Sequence, residues 1–244
     1  MNGFTSTTED LQALWPSYVL NKKWNTPLGF NEELAELGIQ VNLNTRVVDE
    51  ADRRNVGDKT NHLGHVRHNF LHDHADRPVI KYFSWMVACA VKEYMHHVYN
   101  YEHDGDIKMM GECFYQRRSH RENIGINNHT HMKCDFVVMY YPKIILDDDL
   151  DDNPLTSSLH KGAVRLYDPA NVGKRFWPCE NQSNYYGGWY AIEPEEGTML
   201  VIEGWQPHDS TYFFGDERLC LPVLCDIETP NIHDKGSYND LVRS

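Results

Sequence analysis

Asn127-Asn128-His129-Thr130-His131-Met132-Lys133-Cys134-Asp135 runs directly into Phe136-Val137-Val138-Met139-Tyr140-Tyr141. The second part, rich in β-branched and aromatic residues, predicts a strand over Asp135–Tyr141. The first part places two histidines at i and i+2. On an extended backbone such residues point to the same face, so both imidazoles can reach one metal ion from the strand end. An H-x-H pair specifies little alone, and a third ligand must come from elsewhere in the chain.

His208 is the natural candidate. It lies in Gly204-Trp205-Gln206-Pro207-His208-Asp209-Ser210, just past the apolar segment Thr198–Glu203. Ten residues later Arg218 opens another apolar segment, Arg218–Cys225. A guanidinium pointing into a β-structure needs an anionic partner, because an unpaired buried charge is costly. Its planar fork suits a carboxylate. Two histidines at one strand end, a distant histidine and then an arginine form the order of an iron and 2-oxoglutarate site, in which coordination positions stay open.

The rest of the chain supports an all-β second half. Short segments rich in Val, Ile, Tyr and Phe recur at Glu112–Gln116, Ala163–Tyr167, Tyr186–Ile192 and Thr211–Phe214, separated by turn residues. Regular short strands of this kind predict a sandwich or barrel. The first 104 residues read differently. Asn31 followed by Glu32, Glu33, Leu34 and Leu37 predicts a short capped helix ending at Gly38. Residues 45–75 are charged and irregular. Asp76 is a possible cap and Pro78 suits a first turn, and apolar residues from Val79 to Val98 recur at helical spacing, predicting a helix to about Asn100. That helix needs a sheet to bury its apolar face, so we expect one domain over 1–244: a helical layer (1–104) supporting a β core (105–244).

Composition narrows the function. Lys and Arg number 23 against 36 Asp and Glu, a formal net charge of −13, which argues against nonspecific nucleic-acid binding. No run approaches a membrane-spanning length, and the N-terminal residues do not read as a secretory signal. Six cysteines without a C-x-x-C pair are then expected as reduced, mostly buried thiols in a cytoplasmic protein. Among the other histidines, His62, His65, His68, His72 and His74 lie in a charged segment without a helical stripe and read as loop residues. His96 and His97 suit the C-terminal end of the long helix. The acidic run Asp147–Asp152 reads as a solvated loop.

Taken together, these elements resemble the Fe(II)/2-oxoglutarate-dependent oxygenases. The closest resemblance is to bacterial and phage oxygenases marked by an H-x-H, a Tyr-Tyr strand, a D-P turn and a G…W…H…R tail. Here these are His129-Thr130-His131 with Val138-Met139-Tyr140-Tyr141; Val164-Arg165-Leu166-Tyr167-Asp168-Pro169; and Gly197, Trp205, His208 and Arg218. The openings Leu14-Trp15-Pro16-Ser17-Tyr18 and Asn31-Glu32-Glu33-Leu34 are also similar, and the specific part of the likeness is 125–225. The strand after the H-x-H departs from the group's usual Ser-Gly, having Val137-Val138.

The resemblance implies a double-stranded β-helix, a jelly roll related to cupins, with supporting N-terminal helices. It implies Fe(II) and 2-oxoglutarate as cofactors, Arg218 on the C5 carboxylate, and dioxygen and a protein or small-molecule substrate as partners. Tyr140 is the tyrosine expected to hydrogen-bond 2-oxoglutarate. Arg165 suits either a substrate anion or a surface ion pair, and Trp205 is expected beneath His208. The wider superfamily has H-x-D/E where this chain has H-x-H. The third ligand is therefore His131 in an all-histidine set, or Asp135, or water. A three-histidine dioxygenase of cupin type without 2-oxoglutarate and a non-catalytic jelly-roll binding module are the competing functions; Arg218 has no purpose in the former, and convergence of the histidines has none in the latter.

Overall fold

The computed structural model describes residues 11–14, 17–53, 65–66, 69–117, 126–146, 161–168, 189–213 and 215–227. Twelve strands and three helices occur among them: β1 (Leu11–Leu14), β2 (Ser17–Lys23), α1 (Phe30–Arg53), β3 (His65–Val66), α2 (Phe70–Asp73), α3 (Pro78–Tyr99), β4 (Ile107–Gly111), β5 (Cys113–Arg117), β6 (Ile126–His129), β7 (Phe136–Ile145), β8 (Val164–Tyr167), β9 (Trp189–Ile192), β10 (Thr198–Glu203), β11 (His208–Ser210) and β12 (Glu217–Ile227). The strands form two antiparallel sheets. The larger has the order β1-β2-β10-β7-β12-β5-β3, with β4 also on β12; the smaller has the order β6-β11-β8-β9.

Three layers result, and alternation along the strands builds them. On one face of the large sheet, Phe136, Val138 and Tyr140 of β7, Met199 and Val201 of β10, and Leu219, Leu221 and Val223 of β12 pack with α1 and α3. On the other face, Val137, Met139 and Tyr141, Leu200 and Ile202, and Cys220 pack with Val164 and Leu166 of the small sheet. The large sheet is thus covered on both sides. This explains why β10 is a continuous apolar run in which all six residues are buried.

Helix α3 follows its sequence pattern. Pro78 stands in its first turn, where a missing N–H costs nothing. Val79, Phe83, Met86, Val87, Ala90, Val91 and Tyr94 form its buried stripe. Asn100 ends it in the left-handed conformation at φ 51°, and His96 and His97 occupy the last turn. Arg77, not Asp76, is the residue at its N-cap, without a side-chain cap. Phe83 stacks on Phe70 and tilts against Tyr140, fully buried; truncating such a ring to Ala typically costs about 3–5 kcal/mol.

Three expectations change. Helix α1 does not stop at Gly38 but continues to Arg53. Gly38 serves close packing instead: a Cβ there would lie 2.9 Å from a methyl of Leu219 on β12. Three strands, β1, β2 and β3, come from the part expected to be helical; β2 joins the large sheet beside β10 and β3 beside β5. Of the strand expected over Thr211–Phe214, the described residues Thr211–Phe213 form no extended strand; β11 lies just before them, and Phe213 makes an isolated bridge to Lys161. No helix among the described residues is long and apolar enough to cross a membrane.

Candidate metal centre

The small sheet brings the histidines together. His129 ends β6 and His208 begins β11, and the two are direct cross-strand partners. His131, two residues past His129, is fixed by its backbone N–H, which donates to Gly204 O at 2.7 Å. Gly204 N in turn donates to Asp135 O at 2.8 Å, tying the two turns to each other. The ligand atoms of His129, His131 and His208 all lie within 4.8 Å of one another, and this is the metal-type cluster found among the described residues.

The donor chemistry of this cluster fits a divalent transition metal. His129 Nε2 and His131 Nε2 are 3.0 Å apart. Two ligands at right angles about a metal, each bonded at about 2.1 Å, stand about 3.0 Å apart. His208 Nδ1 is 2.8 Å from the Gln206 carbonyl oxygen. A carbonyl only accepts, so Nδ1 carries the proton and the Nε2 lone pair is left for a ligand. Burial, followed by the neighbouring His129, pushes His208 down to about 3, against the opposing Gln206 hydrogen bond. It is a neutral imidazole at ordinary pH, as metal ligation requires.

Arg218 lies in the same cavity, whose volume is about 770 Å³. It is the largest fully buried side chain among the described residues. Its Nη1 donates to Gly162 O at 2.7 Å, and its guanidinium carbon lies 5.6–5.8 Å from the rings of Phe114, Tyr141 and Phe213. Its Nε is buried without a hydrogen-bond partner among the described residues. A buried guanidinium held by one carbonyl and three rings, with a donor left over, has the chemistry to accept an anion. Gly162, at φ +69°, permits this approach; a Cβ there would fall 1.7 Å from Nη1.

Other expected residues lie elsewhere. The Tyr140 hydroxyl donates to Asn31 Oδ1 at 2.5 Å, on the helix side of the large sheet. Strand parity turns it away from the cavity, and Tyr141 lines the cavity instead. Asp135 is exposed and stands apart from the three histidines; its Oδ2 accepts the Ile227 amide at 2.8 Å. Trp205 is partly exposed and does not line the cavity. Arg165 takes the ion-pair role: its Nε and Nη2 donate to the two oxygens of Asp209 at 2.7 and 2.6 Å. Tyr167 donates to the same carboxylate at 2.5 Å, and burial and this bond hold its phenol above the usual range.

The sequence pattern offered Tyr141 as a core or lining residue but preferred Tyr140, and it did not single out Gly162, Gln206 or Asp209. Only the positions of Gln206 and Asp209 on either side of His208 offered a signal. Cys113, Cys220 and Cys225 are buried and Cys89 and Cys134 partly so; burial lifts Cys220 to about 11 and Cys134 to about 12, so both are thiols. His72 is exposed beside Asp73. His62, His68, Cys179, the acidic run 147–152 and Tyr185-Tyr186 lie outside the described residues.

Two antiparallel sheets backed by helices make a fold that this chain shares with solved structures of low sequence identity. Solved structures with this likeness include AviO1 from Streptomyces viridochromogenes Tue57, with TM-score 0.52 and 13% identity, covering 87% of this chain and 91% of that one. A prolyl hydroxylase from Trichoplax adhaerens, in complex with a hypoxia inducible factor oxygen degradation domain peptide fragment, gives TM-score 0.50 and 15% identity over 85% of this chain and 83% of that one. An oxidoreductase of the 2OG-Fe(II) oxygenase family from Burkholderia pseudomallei matches at TM-score 0.39 and 11% identity over 61% of this chain, which spans 58% of that protein's length. At these identities the likeness is one of fold. No family model and no curated protein matches the sequence.

Proposed function

We propose that the protein is an Fe(II)- and 2-oxoglutarate-dependent oxygenase, a hydroxylase of an organic substrate, whose residues 1–244 form one domain and whose two sheets form a double-stranded β-helix. The observation that carries this reading is Arg218: a fully buried guanidinium lining the cavity that holds the three-histidine cluster, its Nε without a partner among the described residues. In this reading His129, His131 and His208 hold the iron through three neutral nitrogens, and Arg218 takes the C5 carboxylate of 2-oxoglutarate. When bound, the iron and 2-oxoglutarate supply dioxygen activation coupled to release of succinate and CO2.

The chain's own residues do the rest. The Gln206 carbonyl fixes the tautomer of His208. Arg218 orients the cosubstrate through a planar charged fork, which fixes direction as well as distance. Phe114, Tyr141 and Phe213 surround that guanidinium and keep water from it, which strengthens the charge pair. An all-imidazole ligand set leaves the metal's full positive charge for anionic ligands, so an anionic cosubstrate is favoured at this centre. The cavity of about 770 Å³ leaves space beyond a five-carbon diacid for part of a peptide or a small metabolite, the two substrate classes we infer.

The competing readings leave different features without a purpose. A three-histidine dioxygenase without 2-oxoglutarate leaves Arg218 without an anion. A binding module leaves the converging imidazoles without a ligand. The deciding experiment is anaerobic titration of the protein with Fe(II) and then 2-oxoglutarate. A weak visible charge-transfer band that develops only with both is the expected result. Iron uptake with no 2-oxoglutarate affinity moves the three-histidine dioxygenase ahead, and no iron uptake moves the binding module ahead.

A further inference from the structure

We propose that Asp209 is a positioning residue for the three-histidine centre, acting through β11 and its clamp to β8; the inference rests on the reading that this centre binds a metal. Strand β11 is three residues long, and its pairing with β6 shifts register between His208 and Ser210. So short and irregular a ladder specifies its own register weakly. Yet a metal ligand on it must be held within a fraction of an ångström to be preorganised.

Two devices tie β11 to β8. One precedes His208. Gln206 Nε2 donates to Tyr167 O at 2.6 Å, Tyr167 N donates to Pro207 O at 2.9 Å, and the Gln206 carbonyl accepts from His208 Nδ1. The other follows it. Asp209 and Arg165 are direct cross-strand partners. The Asp209 carboxylate takes both arms of the Arg165 fork and the Tyr167 hydroxyl, three charge-assisted bonds on a residue only 5% exposed. Arg165 is itself braced by the ring faces of Trp189 and Tyr167.

Asp209 borders the cavity, whereas Arg165 and Tyr167 do not line it. Both carboxylate oxygens are taken up by those two residues, while the adjacent His208 faces His129 and His131. It is no ligand in this arrangement. Its influence passes through one residue of backbone and reaches two ligands at once, because β11 carries His208 and pairs through it with His129. A partner bonded directly to a ligating imidazole typically changes metal affinity by about 10- to 100-fold; Asp209, one residue of backbone away from the ligand, is expected at the lower end.

The test is Co(II) titration of purified wild type, Asp209→Asn and Tyr167→Phe, read by the visible ligand-field bands, with thermal melting in parallel. Asp209→Asn keeps the shape and removes the charge. We expect its Co(II) affinity to fall about 10-fold, the lower end for outer partners of a metal ligand, with shifted bands reporting altered ligand geometry. Tyr167→Phe removes one bond to the same carboxylate and should give a smaller loss in the same direction; it carries the test if Asp209→Asn does not fold. A structural role alone lowers the melting temperature and leaves affinity and band positions unchanged in the folded variants, and that result overturns the inference while the oxygenase reading stands. If wild type takes up no Co(II), the reading of the centre as a metal site falls first, and the inference with it.

Discussion

Replacing Gly162 with alanine tests the anion pocket without touching the arginine that forms it. The added Cβ would lie 1.7 Å from Arg218 Nη1 and 2.9 Å from its Cζ, below any non-bonded contact. The turn cannot easily retreat. Gly162 N donates to Tyr212 O at 2.8 Å, Thr211 N donates to Ala163 O at 2.9 Å, and Lys161 bridges to Phe213. Arg218 must therefore leave its place among Phe114, Tyr141 and Phe213 and give up its bond to the Gly162 carbonyl. Holding alanine at φ +69° costs about 1–2 kcal/mol. Losing a hydrogen bond from a charged group costs about 1.5–3 kcal/mol. For a chain of this size each kcal/mol is worth about 2–4 °C, so melting should fall by roughly 5–20 °C. The larger effect is on 2-oxoglutarate: a displaced guanidinium forfeits a buried charged pair worth roughly 2–5 kcal/mol, on the order of 30- to 4000-fold in affinity. Calorimetric titration of 2-oxoglutarate into the Co(II)-loaded protein reads this directly, with Co(II) stoichiometry as the control. A folded Gly162→Ala protein that binds 2-oxoglutarate as wild type does refutes Arg218 as the carboxylate clamp.

Arg218→Ala should lose 2-oxoglutarate turnover, measured as succinate, with metal content almost intact; Arg218→Lys should recover only part, since an ammonium presents no planar fork. Tyr140→Phe should lower stability by about 1 kcal/mol through loss of its bond to Asn31, with no change in 2-oxoglutarate affinity; a large change in that affinity would return Tyr140 to the cosubstrate site. The pH dependence of the metal-free protein follows from His208, which is pushed from an ordinary 6.5 to about 3. The unfolded chain then takes up a proton that the folded one refuses, so this contribution is fully present above pH 6.5 and is lost as pH falls toward 3, at up to about 1.4 kcal/mol per pH unit. Denaturant melts at stepped pH should show this slope, and His208→Gln should flatten it; an unchanged slope in that variant would mean His208 is not buried neutral.

What the sequence revealed depended on whether a residue's physical role leaves a local trace. The strands β7, β10 and β12 were visible because a sheet covered on both faces demands unbroken apolar runs. Helix α3 was visible because it buries one stripe and exposes the rest. Strands β6 and β11 were not, and the reason is chemical: Ile126-Asn127-Asn128-His129 and His208-Asp209-Ser210 carry residues suited to ligation and clamping rather than to strand propensity, and local pattern fails where function overrides it. Helix α1 ran past its expected end because Gly38 reads as a stop, while its lack of a Cβ is used against Leu219 instead.

Arg218 was picked out because a buried guanidinium is costly without an anion, and the three histidines by the i, i+2 spacing of His129 and His131 and by their order with His208 in the chain. The tyrosine was misassigned for want of such a mark. Tyr140 and Tyr141 are 0% and 1% exposed, so hydrophobicity cannot say which faces the cavity. A strand buried on both sides has no polar face to fix its parity, and a shift of one residue exchanges every side chain between the faces. Parity has to be carried in from a neighbour. Strand β12 supplies it: Arg218 marks its cavity side, Pro222 lies on that same side, and Pro222 is the cross-strand partner of Met139. Partners in an antiparallel pair share a face, so Met139 and, two residues on, Tyr141 face the cavity. The information was therefore in the chain, held by the buried charge of Arg218, but it reaches Tyr141 only through a register between strands some eighty residues apart, which no local reading of either strand contains.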